Sequence, residues 1–443
     1  MIEAIANILK IPDLRNRIFF TLGMLAIYRL GVFIPAPGVD RTALADFFAT
    51  NQNSLFGMYD MFSGGALKQF SVFVLGIMPY ISASIIMQLM AVMLPQVERL
   101  KNEGQAGRNK ITQWTRYLTI GIALVQSTAI AISLESMKTL GGSDVVPHAG
   151  WGFRLMTIIT MTAGSCFVMW LGEQITDRGI GNGASLVITG GIIAALPAGL
   201  GKTIEMVRIE QINLLELVLL LAFMFVVIMG IVFVERGQRR VPIQYAKRVV
   251  GRQVYGGQAT HLPMKVNVSG VIPPIFASSV LMFPATIGSF YEHPIFEAMR
   301  SAFMPGTWVY GVTYVVMIVF FAYFYTAVTF NPVDVADNLR KHGGYIPGVR
   351  PGKQTADYLD RILTRLTAGG AIYLSAVCIL PTILVSSYGV PFYFGGTGLL
   401  IIVAVCLDTV GQIEGHLLTR HYDGILGPKS SKVKGRRSRL LTL

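Results

Sequence analysis

Charge is what this sequence has least of. Asp, Glu, Lys and Arg make up 14% of its 443 residues, against about a quarter in an ordinary soluble domain. The deficit is uneven: long stretches carry almost none, and the charges crowd into the segments between them. That pattern argues against a soluble enzyme and a disordered chain, and it fits a polytopic helical membrane protein. Cysteine is scarce as well. Cys166, Cys378 and Cys406 lie inside apolar stretches, form no CxxC pair or metal spacing, and read as small buried hydrophobes. GxxxxGK[ST], HExxH and GxSxG are all missing, which argues against a P-loop and against hydrolase chemistry. The six histidines are scattered. No metal, no cofactor and no enzymatic activity are therefore expected. The glycines at Gly179, Gly181 and Gly183 follow no strand, so they read as a tight turn between spans and not as a dinucleotide fingerprint.

What is present is apolar length. Hydrophobic residues make up 53% of the chain, and a helix crosses the hydrocarbon layer of about 30 Å in about 20 residues. Ten spans are predicted: Ile18 to Ile34, Phe70 to Leu94, Trp114 to Leu134, Trp151 to Leu171, Ser185 to Leu200, Leu214 to Val234, Val271 to Tyr291, Trp308 to Val328, Ala371 to Ser387 and Leu399 to Leu418. Pro79 in the second, and Pro273, Pro274 and Pro284 in the seventh, read as breaks or kinks. The first span follows Lys10, Arg15 and Arg17 without a small-residue cleavage site, so it reads as a retained helix.

Of the 37 Lys and Arg, 29 fall on the side of the termini, 7 on the other side, and Arg29 lies within span one. Positive charge marks the cytoplasmic face, so both termini are expected there. Two long basic cytoplasmic loops, Glu235 to Gly270 and Thr329 to Gly370, read as protruding docking structures. Ten spans divide into five and five, which places two inverted halves at residues 1–200 and 201–443. The expected fold class is thus an all-α polytopic membrane protein. Ionisable groups inside the spans are few. Asp408 is the exception, open to two readings: a polar contact between helices, or a proton relay that would favour an ion-coupled transporter.

Several strings carry a family resemblance. They include Met61 to Leu67 (MFSGGAL), Leu75 to Ile86 (LGIMPYISASII), Trp170 to Thr176 (WLGEQIT), Arg178 to Gly183 (RGIGNG), Val234 to Arg240 (VERGQRR), Thr260 to Asn267 (THLPMKVN), Ile346 to Gly352 (IPGVRPG) and Pro391 to Thr397 (PFYFGGT). In this order the chain resembles the SecY/Sec61-alpha family, the central subunit of the Sec protein-conducting channel. The resemblance implies an hourglass pore between the two halves, ringed at its waist by Ile77, Ile81, Ile188, Ile275, Ile287 and Ile401. It implies a short re-entrant plug helix at residues 55–67, with Phe56, Met58, Met61 and Phe62 as its apolar face and Gly64 and Gly65 as its joint. Ser82, Gln88, Gln126, Ser278, Ser279 and Phe283 would border a lateral gate to lipid. Lys247, Arg248, Arg252 and Arg350 would meet a SecA motor or a ribosome. The implied function is a passive channel that passes unfolded preproteins across a bacterial inner membrane and releases transmembrane segments sideways. Its implied partners are SecE, SecG, SecA, the ribosome, preproteins with their signal sequences and membrane lipid, and no DNA.

Overall fold

A computed structural model describes residues 11–40, 44, 63–136, 145–209, 213–245, 248–250, 253–255, 259–287, 302, 307–388 and 396–426. Ten helices stand at the ten predicted places: α1 (Pro12–Val32), α2 (Met78–Met93), α4 (Gln105–Ser136), α5 (Trp151–Arg178), α6 (Gly183–Arg208), α7 (Leu214–Arg236), α8 (Ile272–Ile287), α9 (Trp308–Thr329), α11 (Lys353–Tyr388) and α12 (Gly396–Leu426). Two short amphipathic helices, α3 (Pro95–Asn102) and α10 (Pro332–Lys341), lie between them. Local chemistry sets the starts. The Asn182 side chain accepts from Ala184 N and Ser185 N, Thr307 Oγ1 from Tyr310 N, and Asn331 Oδ1 from Val333 N, so each N-terminus has a capping acceptor.

Six of these helices are long and apolar enough to cross a bilayer among the described residues, and a seventh is added if the bent pair α2–α3 counts as one span. The apolar parts of α6 and α8 are shorter, Gly183–Pro197 and Ile272–Leu281. In α1 the run is interrupted by Arg29. Large apolar side chains remain exposed along the bundle, including Leu219, Phe225 and Phe233 on α7. Trp151 and Trp308, each at a helix start, are also exposed, as in the aromatic belts of membrane proteins.

Three expectations need correction. Span two is helical only from Met78; residues 70–77 form turns, with positive φ at Phe70 and Gly76. The 16-residue α2 is therefore about 24 Å long, and its axis bends by 106° into α3. Pro79, Pro273 and Pro274 do not kink helices. They occupy first turns, where a missing N–H leaves nothing unsatisfied. Residue 200 lies inside α6, which runs on to Arg208.

The two long loops are structured, and the all-α reading holds only for the bundle. Strands β1 (Gln238–Tyr245) and β4 (Ala259–Lys265) pair antiparallel from Gln238↔Lys265 to Gln244↔Ala259. Between them β2 (Arg248–Val250) and β3 (Gln253–Tyr255) form a small hairpin of their own. From the second loop, β5 (Gly344–Tyr345) adds to the free edge of β1. The second loop is otherwise α10 and the first turns of α11. Val241 and Ile243 are buried at alternate positions along β1, and Val241 joins Met264, Ile346, Leu359, Ile362 and Leu363 in one core, so the two loops make a single body.

Ion pairs clamp the α4–α5 pair at both ends, the first bidentate and the second with both Arg154 donors on Glu135 Oε2. Arg116 meets Glu173 at 2.9 and 2.8 Å, and Arg154 meets Glu135 at 2.9 and 2.6 Å. Glu135 also accepts from the Gly150 N–H, so the pair caps the start of α5. Close approach at glycine seats the 63–77 turns. A Cβ on Gly164 would lie 2.0 Å from the Val72 carbonyl oxygen, a backbone atom that cannot swing away. Gly164→Val should therefore destabilise the fold by about 1–3 kcal/mol, the usual cost of overpacking. The check is a lowered thermal midpoint in detergent; an unchanged midpoint would mean that α5 does not seat this turn.

Candidate functional site

Four of the six predicted ring isoleucines are brought together. Ile77 just before α2, Ile188 on α6, Ile275 in the first turn of α8 and Ile401 on α12 are all buried in one cluster. Ile81 packs against the same cluster, half-buried, and also against a second one formed by α8, α9 and α11. Ile287 closes α8, and its side chain lies outside the described residues. Around the isoleucines stand Leu171 and Ile175 of α5, Val187 and Ile192 of α6, and Val405 of α12. Residues from α1, α5 and α6 thus meet residues from α8 and α12 at a single apolar junction. Branched aliphatic side chains give an ion nothing to replace its hydration shell.

Ala66 is fully buried in this cluster, at the base of the predicted plug. Phe56, Met58, Met61 and Phe62 lie outside the described residues. Gly64 and Gly65 have φ of 70° and 87°, the left-handed region that glycine enters without strain. The joint is held, not loose. Tyr28 Oη donates to the Ser63 carbonyl oxygen at 3.1 Å, and Arg29 donates to the Gly64 carbonyl oxygen. On the other side the turn abuts Gly191 of α6, where a Cβ on Gly64 would be 2.8 Å from the Gly191 Cα. Tyr28 and Arg29 were not among the predicted site residues. The signal was available: an arginine placed inside an apolar span needs a partner.

The predicted gate residues make few bonds between helices. Ser278 and Ser279 both donate to the Ile275 carbonyl oxygen of their own helix, at 2.9 and 2.8 Å. Gln88 reaches Ser84 on α2 itself. Ser82 is buried, and Gln126 Oε1 is buried without a partner. The side chain of Phe283 lies outside the described residues. Among the described residues no hydrogen bond joins α2 to α8; their contact is apolar, Ile85 beside Phe276, Ala277 and Leu281 in one cluster.

On the loop body, Arg350 is exposed in the turn after β5, and Thr355 Oγ1 fixes its backbone carbonyl at 2.9 Å. Lys247 and Arg252 lie outside the described residues. Arg248 begins β2, and its side chain is not described. Asp408 pairs with Lys265 at 3.3 Å, and both side chains are more than half exposed. The pair links α12 to strand β4 and not to a second membrane helix.

Helices of membrane-crossing length, meeting at a buried apolar cluster, define a polytopic membrane protein. A family model described as SecY matches residues 71–410, and the chain belongs to the SecY family. A relative from Haemophilus influenzae (strain ATCC 51907 / DSM 11121 / KW20 / Rd), protein translocase subunit SecY, is 47% identical over 427 residues, covering 96% of each chain. A solved structure described as that of a protein conducting channel superposes with a TM-score of 0.62 at 17% identity, over 90% of this chain and 91% of the other. Sec61 in the canine ribosome-channel complex from the endoplasmic reticulum gives 0.59 at 16%, over 90% and 91%. The chain accordingly belongs with the protein translocase subunits of the SecY family, and its fold is that of solved protein-conducting channels.

Arg29→Met removes a charged donor from a partly buried carbonyl and should weaken the hold on the turn by about 1–2 kcal/mol. Resting ion leak through channels in proteoliposomes should rise, with Arg29→Lys keeping part of the seal. Equal leak in all three proteins would remove this contact from gating.

Proposed function

We propose that this subunit is a passive, polymer-selective pore whose closed waist is the isoleucine junction. The observation that carries the reading is that Ile77, Ile188, Ile275 and Ile401, from four separate chain segments in both halves, share one buried apolar cluster. An extended polypeptide can slide past branched aliphatic side chains, because they offer it no fixed hydrogen bonds to break. A hydrated ion loses solvation there and is refused. Ile81 and Ile287 complete the ring.

The same reading gives ten crossings, by α1, α2, α4 to α9, α11 and α12. They form two inverted halves that join at residues 209–213, with both termini in the cytoplasm and the bilayer a bacterial inner membrane. Residues 55–67 act as the plug. The α2–α8 seam, lined by Ser82, Gln88, Gln126, Ser278, Ser279 and Phe283, releases apolar segments into lipid. Its polar groups are largely spent within their own helices, which suits a seam that has to part. The body made of β1, β4, β5 and α10 is the docking face for a SecA motor or a ribosome, through Lys247, Arg248, Arg252 and Arg350. Guanidinium and ammonium groups suit both acidic protein surfaces and RNA phosphate. SecE and SecG complete the complex.

Two measurements test this. Ile77, Ile188, Ile275 and Ile401 changed together to serine should raise ion conductance of reconstituted channels about ten-fold or more, since a wetted constriction no longer dehydrates ions. Wild-type conductance would rule out the waist. Arg350→Glu should lower motor-dependent import of a preprotein while leaving the melting midpoint within about a degree, because an exposed surface charge carries little stability. A fall in stability with import intact would remove Arg350 from the docking face.

A further inference from the structure

Residues 265–270 form one of the segments that join the docking body to the bundle, the one that leads from β4 into α8, and it is not a free linker. Its central side chain, Asn267, is buried at 2% exposure. Both protons of its Nδ2 are used. One is donated to Glu235 Oε1 at the end of α7, at 2.7 Å, and the other to the Gly270 carbonyl oxygen in the turn just before α8, at 3.1 Å. Its Oδ1 accepts from Ser269 Oγ at 3.1 Å, itself buried. The stems of the hairpin are tied as well, by Val266 N donating to the Gly237 carbonyl oxygen at 3.0 Å. From α11, Gly370 presses on the same spot: a Cβ there would lie 3.3 Å from the Val266 carbonyl oxygen and 3.7 Å from the Asn267 Cα. From α12, Asp408 holds Lys265.

Five elements therefore converge on Asn267 and its neighbours: α7, β4, α8, α11 and α12. Beyond the joint, α8 begins at Ile272 and carries Ile275 into the isoleucine cluster within its first turn. A rigid lever is the physical consequence. When the hairpin tilts, the backbone at Gly270 tilts with it, because an asparagine with every hydrogen-bonding group engaged cannot slip without leaving the Glu235 carboxylate short of its donor.

We propose that Asn267 is a positioning residue that couples load on the cytoplasmic hairpin to movement of α8, and so to opening of the waist. The inference rests on the reading of the hairpin as the docking face. A coupling claim needs a readout that separates docking from movement. The full complex in proteoliposomes serves, with an ATP-driven motor and an unfolded preprotein, measuring motor affinity, the maximal import rate at saturating motor, and the melting midpoint. Asn267→Ala should leave motor affinity within about two-fold and lower the maximal rate about ten-fold, within the range of coupling energies between linked sites. Glu235→Gln, whose amide oxygen still accepts from Asn267, should keep most of the rate. Ser269→Ala spares both Nδ2 bonds and should cost roughly two- to three-fold, which keeps the test alive if Asn267→Ala does not fold. A wild-type maximal rate in Asn267→Ala overturns the proposal, as does one in Ser269→Ala if that is the variant that folds. A matching loss of affinity and rate also overturns it, since it would make Asn267 part of the docking surface. Failure of the wild-type hairpin to contribute to motor binding at all would instead sink the docking reading.

Discussion

A backbone carbonyl or N–H at membrane depth has no water to turn to, and every feature of the pore region answers that constraint. Helices satisfy it by themselves. Residues 63–77, which are not helical, cannot, and they survive only because protein surrounds them. The Ala36 N–H bonds the Phe70 carbonyl, the Val72 N–H bonds the Ile34 carbonyl, and Ser71 pairs back to Ala66. Ser165 on α5 donates to the Gly76 carbonyl, while Tyr28 and Arg29 take those of Ser63 and Gly64. Glycines at 164 and 191 bring the flanking helices close enough for this to work. Ala66, Phe73 and Ile77 of this irregular segment lie within the apolar cluster itself.

The polar groups divide by task. At the periphery, ion pairs such as Arg116 with Glu173 and Arg154 with Glu135 fix helix against helix. Along the α2–α8 seam the contacts are apolar, and the Ser278 and Ser279 hydroxyls bond back to their own helix. Apolar surfaces can separate and re-form without leaving an orphaned donor. A seam zipped by buried hydrogen bonds would open only at the price of breaking them.

Much of this was legible in the sequence. Charge segregation marked the loops, apolar runs placed ten helices, and the motif strings named four isoleucines, Ile77, Ile188, Ile275 and Ile401, that lie in one cluster. The misses have physical causes. The start of span two was set too early because Phe70 to Ile77 is as apolar as the helix that follows; what ends the helix is positive φ at Phe70 and Gly76, which hydropathy does not register. Pro79, Pro273 and Pro274 looked like kinks because their effect depends on whether they fall inside a helix or in its first turn. The strands of the loop body were invisible because β5 is only two residues long and pairs with a partner far away in the chain. Asp408 looked intramembrane by count, yet its partner is a strand lysine, and no pattern in either segment announces the other.

The pairing of β5 with β1 has a bearing on biogenesis. Tyr345 reaches Gln244 across 101 positions of sequence, with α8 and α9 lying between them. During synthesis the first strand of the sheet leaves the ribosome long before the last, and two helices have to be inserted before the edge of β1 is covered. Non-local pairings of this kind are slow and leave a strand edge open while they wait. The loop body is thus among the last parts of the molecule to mature, since its sheet closes only after α8 and α9 have been made.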